Sequence, residues 1–234
     1  MRLSFDWTRI TKHDNIVNVT FNQSALNNEN NLPGLVARAA PAAGDAFGVG
    51  KVIGFDSRFI NATRARSDSY DIALDYKHET SAYGTFSAQL IGTQLSSNLL
   101  QLTPGAVGQE RAGTYVSPKW SANGSLSWRW RGLDVQWAAQ YLDSYWINAD
   151  HSVVVLQASG RLGSAVYHDI TAGYRFNESV RDGISAALSN LDVRVGVKNV
   201  FNRKPRYLTN NNFYYDTWSS PMMSTYYLTL QKRF

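Results

Sequence analysis

Trp120-Ser121-Ala122-Asn123-Gly124-Ser125-Leu126-Ser127-Trp128-Arg129-Trp130 is followed by Arg131-Gly132 and then by Leu133-Asp134-Val135-Gln136-Trp137-Ala138-Ala139-Gln140-Tyr141. In the first run Trp120, Ala122, Gly124, Leu126, Trp128 and Trp130 alternate with Ser121, Asn123, Ser125, Ser127 and Arg129. In the second, Leu133, Val135, Trp137, Ala139 and Tyr141 alternate with Asp134, Gln136, Ala138 and Gln140. A period of two belongs to a β-strand, whose successive side chains point to opposite faces. Two such runs separated by Arg-Gly predict an antiparallel hairpin with a tight turn.

The pattern recurs outward from this hairpin in both directions. Leu3, Phe5 and Trp7 alternate with polar residues over 3–10, and Tyr70, Ile72, Leu74 and Tyr76 do so over 69–78. Phe86, Ala88 and Leu90 follow over 84–93; Ile170, Ala172, Tyr174 and Phe176 over 168–176; Leu191, Val193, Val195 and Val197 over 191–198. Tyr226, Leu228, Leu230 and Phe234 close the chain. About eight antiparallel strands are expected, an all-β chain.

A soluble sandwich alternates too, and its outer face would also carry charge mid-strand. The aromatic ends of the apolar runs favour a membrane barrel, where aromatic girdles mark both interfaces. Connection lengths favour it more. Lys77 to Gly84 and Trp130 to Leu133 are short, whereas 94–119, 143–166 and 202–223 are long and 11–65 longer still; 177–190 is intermediate. Short turns on one side and long loops on the other are how outer-membrane barrels face periplasm and exterior. Within 11–65, extra short strands are expected around Val52–Arg64, and Leu32–Gly50, rich in Ala, Gly and Pro, is expected to be flexible external loop.

Composition agrees. Charged residues are 18%, fewer than the roughly 25% of soluble domains, while aromatics reach 13% and mean hydropathy is only −0.32. That mixture suits strands with one greasy and one wet face. No run of about 18 apolar residues exists, which excludes a helical membrane protein. The net charge of +5 comes from scattered Lys and Arg without a basic stripe, so nucleic acid is not an expected partner. Without cysteine there is no disulfide framework and no thiolate site. Met1-Arg2-Leu3-Ser4-Phe5-Asp6-Trp7 lacks the apolar core of a signal peptide and reads as strand interior, so a piece of a longer protein is expected.

The segment Val195-Gly196-Val197-Lys198-Asn199-Val200-Phe201-Asn202-Arg203-Lys204-Pro205-Arg206-Tyr207 resembles the Asn-Leu-Phe-Asp-x-x-Tyr region of TonB-dependent outer-membrane receptors, with Asn202 where Asp is usual. Tyr226-Tyr227-Leu228-Thr229-Leu230-Gln231-Lys232-Arg233-Phe234 is similar to their terminal strand, with Lys232 where an apolar side chain is usual. Looser matches lie at Pro118–Asn123 with Gln140–Trp146, and at Phe5–Ile10.

The resemblance implies a 22-stranded barrel with a plugged lumen, of which residues 1–234 would be the last third, with plug domain and signal peptide absent. It implies a bacterial outer-membrane receptor for active transport of a scarce nutrient: siderophore-iron, cobalamin or glycan. Energy would come from TonB through the absent plug. The other implied partners are outer-membrane lipid, the missing barrel strands and the barrel assembly machinery. Tyr226, Leu228, Leu230 and Phe234 would form the assembly signal, read by strand-edge pairing.

No catalytic residue, metal site or cofactor is expected. His13, His78, His151 and His168 have no metal-ligand spacing, and no nucleophile elbow accompanies His151-Ser152 or His168-Asp169. Tyr207, Phe213, Tyr214, Tyr215 and Trp218, set among Asn210, Asn211, Asn212 and Asp216, form the candidate substrate platform on an external loop. Arg129, Arg175, Arg194, Asp71, Asp75, Asp134, Asp169 and Asp192 should face the lumen, contacting a plug or pairing across strands. Two other architectures stay open: a self-contained eight-stranded barrel with a structural or adhesion role, and a soluble carbohydrate-binding sandwich. The sandwich would have to expose Trp120, Trp128 and Trp130 together.

Overall fold

The computed structural model describes residues 1–21, 23–27, 29–101, 107–176, 189–209 and 214–232. In chain order the strands are β1 (Arg2–Asn18), β2 (Val36–Arg38), β3 (Val52–Phe55), β4 (Phe59–Thr80), β5 (Gly84–Gln101), β6 (Gln109–Glu110) and β7 (Trp120–Trp130). They continue as β8 (Leu133–Leu142), β9 (Tyr145–Trp146), β10 (Arg161–Leu162), β11 (Ala165–Arg175), β12 (Leu191–Lys198) and β13 (Thr225–Lys232). One short helix, α1, spans Gln23–Asn27. The main sheet runs β1-β4-β5-β7-β8-β11-β12-β13, with β6 added to β5. From β5 through β13 neighbouring strands pair antiparallel, as does β6 with β5. Among the described residues β1 and β13 do not pair with each other, so the sheet is open.

The β7–β8 turn shows how register is set. Arg131 and Gly132 both have positive φ, 46° and 88°. That is the two-residue turn whose twist matches the flanking strands. A Cβ on Gly132 would stand 2.7 Å from the Arg175 carbonyl oxygen, so glycine is required by space as well as by φ.

From that turn the pairing carries faces across the sheet. Phe86 lies opposite Trp128, Trp128 opposite Val135, Val135 opposite Ala172, Ala172 opposite Val195, and Val195 opposite Leu228. The next row is Ala88, Leu126, Trp137, Ile170, Val197 and Tyr226. All of these belong to one face, and Leu126 (53%) and Leu228 (62%) are far more exposed than any core residue of a soluble protein. Trp120 and Trp128 bracket its apolar run: eight residues, roughly 27 Å along the strand, near the roughly 9–11 residues with which a tilted strand crosses a bilayer. At the short-turn end Phe86, Trp128 and Trp130 stack in sequence, and the Trp128 indole donates to the Tyr83 carbonyl at 2.7 Å.

The opposite face is a polar wall whose groups pair with each other. Arg129 bonds Asp134 at 3.1 Å and Arg175 bonds Asp192 at 3.2 Å, each pair directly cross-strand. Thr93 donates to Asp71 (2.6 Å), Gln89 to Asp75 (3.1 Å), and the backbone N–H of Asn199 to Asp169 (2.8 Å). The Tyr227 ring lies over Gly196, where any side chain would collide with it, and its hydroxyl meets that of Thr171 at 2.7 Å.

The chain divides into two compact units, Met1–Trp7 with Ser69–Ser96 and Gly113–Phe234, and Thr8–Asp68 with Ser97–Ala112. The second holds the largest departures from the sequence expectations. β1 and β4 extend to Asn18 and back to Phe59, so the connection expected over 11–65 shrinks to 19–58. Past Trp7 the alternating positions on that face become Arg9, Thr11 and His13, so hydrophobic periodicity stops while backbone pairing continues. Leu32–Gly50 is not a featureless loop. Val19, Ala25, Leu32 and Leu35 form a small core with Phe55 and Ile60 against it, and β2 pairs with β3. Arg38 grips the Glu29 carboxylate through Nε (2.9 Å) and Nη2 (2.7 Å), holding that carboxyl below its usual pKa. The Asp45 carboxylate accepts N–H bonds from Phe47 and Gly50, which lower its pKa and close the hairpin tip.

The two faces predict opposite tolerance. Leu126→Arg, mid-strand on the apolar face, should cost about 2–4 kcal/mol, and Ser127→Arg on the polar wall much less. Urea unfolding in phospholipid vesicles measures both; equal costs would mean that lipid covers neither face selectively.

Candidate functional site

Two long connections of the first unit, 143–164 and 199–224, meet at a buried ion pair. Arg206 and Asp216 lie on the 199–224 connection, with side chains 6% and 0% exposed, and approach to 2.5 Å. Burying such a pair is costly unless the remaining donors and acceptors are satisfied. Here Arg206 Nη1 also donates to the carbonyls of Asp143 (2.8 Å) and Gly163 (3.1 Å), and Nε to the Ser219 hydroxyl (3.3 Å). The Tyr145 hydroxyl donates to Asp216 Oδ2 at 3.1 Å, and the guanidinium sits 4.9 Å from the Tyr145 ring centre. Burial, reinforced by the Asp216 charge, pushes the Tyr145 phenol well above its usual pKa. Tyr145, Ile147, Val154, Leu162 and Leu208 form the apolar cluster around it.

Short-range pairing explains how Tyr145 is delivered. β9 and β10 form a two-stranded ribbon, Leu162 opposite Tyr145 and Arg161 opposite Trp146. The Trp146 N–H donates to the Gly113 carbonyl, and the Tyr115 N–H to the Trp146 carbonyl, both at 2.8 Å. The Trp146 ring stacks on His151 at 4.5 Å and carries the Arg161 guanidinium 5.4 Å from its centre.

The expected platform residues divide by role. Tyr207 and Tyr214 are exposed and lie nearly parallel, ring centres 6.1 Å apart. The Gln157 side chain fixes Tyr207: its Nε2 donates to the Tyr207 carbonyl and its Oε1 accepts the Thr209 N–H, both at 2.9 Å. Tyr215 is half-buried and bridges Tyr207 through the backbone. Trp218 donates its indole N–H to the Tyr115 carbonyl at 3.1 Å, so its polar edge ties two loops together. Phe213, with Asn210, Asn211 and Asn212, lies outside the described residues. On the terminal strand Tyr226, Leu228 and Leu230 are exposed on the apolar face, opposite Val197, Val195 and Val193; Phe234 lies outside the described residues.

Sequence reasoning missed Arg206, Asp216, Tyr145 and Gln157 as the groups that hold this platform. Their one visible signal was Asp216, the single acidic residue of the aromatic 199–224 loop, ten residues after Arg206.

Arg206→Met should loosen the cluster by about 3–5 kcal/mol, because it strands the Asp216 carboxylate, and adding Asp216→Leu should restore most of that. Amide hydrogen exchange at Tyr145–Ile147 reads both; a double variant as loose as the single one would sink the explanation. Alkaline pH should act in the same direction. The phenol of Tyr145 is neutral in the folded cluster, so its contribution is complete below the unfolded pKa of about 10 and is lost as pH rises from there toward the raised folded value. Tyr145→Phe should abolish that alkaline dependence.

Comparison with known proteins places this architecture. The family described as TonB dependent receptor-like, beta-barrel, matches residues 1–200. No curated protein matches the chain. Among solved structures, the crystal structure of a double mutant of the ferric enterobactin receptor from Pseudomonas aeruginosa aligns with 97% of this chain at TM-score 0.56 and 12% identity. That likeness is one of fold, and the chain spans 28% of that receptor's length. With most of its length matched and its strands paired into an open antiparallel sheet with one apolar and one polar face, the chain belongs to the TonB-dependent receptor-like β-barrel family.

Proposed function

We propose that residues 1–234 form the C-terminal third of a 22-stranded outer-membrane barrel, part of a receptor that imports a scarce nutrient (siderophore-iron, cobalamin or glycan) with energy from TonB. The observation that carries this reading is the sheet itself. Its apolar face is about as long as a membrane-crossing strand, and its polar wall is paired as a lumen lining. The short turns after Thr80 and Trp130 lie at one end, and the long 143–164 and 199–224 connections at the other. The open edges at β1 and β13 support a larger barrel, because unpaired edges are not tolerated in lipid. A self-contained eight-stranded barrel needs β1 to pair with β13, and that pairing is absent among the described residues. The partners of this reading are outer-membrane lipid, a plug domain, TonB reached through that plug, and the barrel assembly machinery. The assembly machinery would read Tyr226, Leu228, Leu230 and Phe234 at the β13 edge. Tyr207, Tyr214 and Trp218 are exposed aromatic groups that would meet substrate, with half-buried Tyr215 beside Tyr207, and Phe213 of the same loop is proposed with them.

Deleting the complete gene in its host, then following uptake of labelled ferric siderophores, cobalamin and oligosaccharides, tests the reading. Import of one class should vanish, the same loss should follow deletion of TonB, and Tyr207→Ala with Tyr214→Ala should weaken binding about tenfold or more. Uptake of every class unchanged, or lost without dependence on TonB, would refute it.

A further inference from the structure

Register sorts the polar wall by height. One row, from β5 to β13, holds Ser87, Ser127, Gln136, Thr171, Gly196 and Tyr227, and none of them is charged. The next row toward the short turns holds Thr85, Arg129, Asp134, Gly173, Arg194 and Thr229. Arg175 and Asp192 face each other in the row beyond. The wall thus turns from uncharged to charged within one step of the pleat.

The charges at this level do not balance. Arg129 takes Asp134 at 3.1 Å and Arg175 takes Asp192 at 3.2 Å. Arg194 is left over: among the described residues it makes no ion pair and no hydrogen bond, and it is exposed. It is placed all the same. A Cβ on Gly173 would stand 3.4 Å from Arg194 Nε and 3.8 Å from its Cγ, so the side chain lies along the wall over that glycine, directed from β12 toward β8. Asp134 comes next in the row, but Arg129 already holds it.

We propose that Arg194 pairs with a single aspartate or glutamate of the plug domain, at the short-turn end of the lumen. The inference rests on the plugged-barrel reading above and adds to it the place and the charge of one plug contact.

Desolvation carries the choice. In an open lumen, water solvates a lone guanidinium. A plug that fills the lumen displaces that water, and a cation without a counter-charge then becomes costly. Arginine cannot escape by losing its proton, and its forked donors fit a carboxylate. One positive charge in excess asks for one carboxylate, whereas the uncharged row above asks only for hydrogen-bonding groups. A multiply charged anion in transit would meet the same cation, but the Asp134 and Asp192 carboxylates beside it repel such a ligand. A carboxylate on a tethered plug also arrives at high effective concentration, which a free solute does not.

The test uses the full-length receptor. Arg194→Lys keeps the charge and supplies an amine that a water-soluble carbodiimide condenses, with loss of water, onto a carboxylate in contact with it. Mass spectrometry of the tryptic peptides should find that amine joined to one Asp or Glu of the plug. In planar bilayers Arg194→Gln should raise the frequency of large-pore openings about tenfold or more, the loss expected for one desolvated charge pair. Arg194→Glu combined with Lys at the cross-linked plug position should return that frequency to within about threefold of wild type. Heat-modified gel mobility reports which variants hold a folded barrel, and the charge-conserving Arg194→Lys decides the question if Arg194→Glu does not fold. A link only to Asp134 or Asp192, no link to the plug, or openings unchanged in Arg194→Gln overturns the proposal. TonB-dependent import by a receptor whose plug gives no link defeats the pairing and leaves the receptor reading standing. A complete gene that encodes no plug defeats the receptor reading itself.

Discussion

Within a bilayer core no water is available to bond an exposed peptide group, so each strand must satisfy its neighbour's backbone along its whole membrane length. That constraint fixes register, and register then fixes everything a side chain can do. A slip of one residue between β7 and β8 would carry Leu126, Trp128 and Trp130 to the polar wall and bring Ser127 and Arg129 to lipid. The Arg131-Gly132 turn prevents the slip at one end. Along the wall, Arg129–Asp134, Arg175–Asp192 and Thr171–Tyr227 add ties that form only when the strands are aligned. The exposed ion pairs contribute little energy each. Their value lies in disfavouring the shifted alternatives, which would leave charge facing hydrocarbon.

Outside the band the physics changes. Water competes for backbone bonds, and long connections gain nothing from lipid. Here the 143–164 and 199–224 connections gather around Arg206 and Asp216, a pair removed from solvent and bonded to Tyr145, Ser219 and two carbonyls, with Asp216 Oδ1 buried without a hydrogen-bond partner. A buried pair of this kind is a weak source of net stability but a strong selector of one arrangement, since any other arrangement strands a charge. The aromatic groups offered to solvent, Tyr207 and Tyr214, are therefore presented by a scaffold with one preferred geometry, Gln157 clamping the backbone beneath them.

The strands were legible because lipid on one side and polar lumen on the other impose a period of two that composition cannot hide. Legibility ended where that contrast ended. β1 continues to Asn18, but Arg9, Thr11 and His13 occupy the positions that Leu3, Phe5 and Trp7 begin. β2 and β3 are three and four residues long, with a register shift between Ala37 and Arg38, too short and irregular to show periodicity amid the Ala, Gly and Pro of their surroundings. The exposure of Tyr207 and Tyr214 was readable, because they sit among asparagines that no core would accept. Arg206 and Asp216 were not, because a loop charge has the same one-dimensional appearance whether it is solvated or enclosed. Its burial depends on Tyr145, 71 residues from Asp216 in sequence.

How the 199–224 connection is rooted explains how such a loop can vary without disturbing the wall. Asn199, in the left-handed region at φ 51°, ends β12. Its N–H reaches Asp169 on β11, and its side chain closes the following turn, accepting the Arg203 N–H and donating to the Arg203 carbonyl, both at 2.8 Å. Asparagine tolerates this backbone region better than other non-glycine residues because its short amide bonds locally. At the far end the Ser224 hydroxyl donates to the Asn199 carbonyl (2.7 Å) and the Ser224 N–H to Asn202 Oδ1 (3.0 Å), immediately before β13 begins. Departure and return are thus joined through Asn199 and Asn202. Side chains between them, Tyr207 and Tyr214 included, can be exchanged with little force on β12 or β13, provided that Arg206 and Asp216 remain. That separation lets one wall of fixed register carry loops of different sequence.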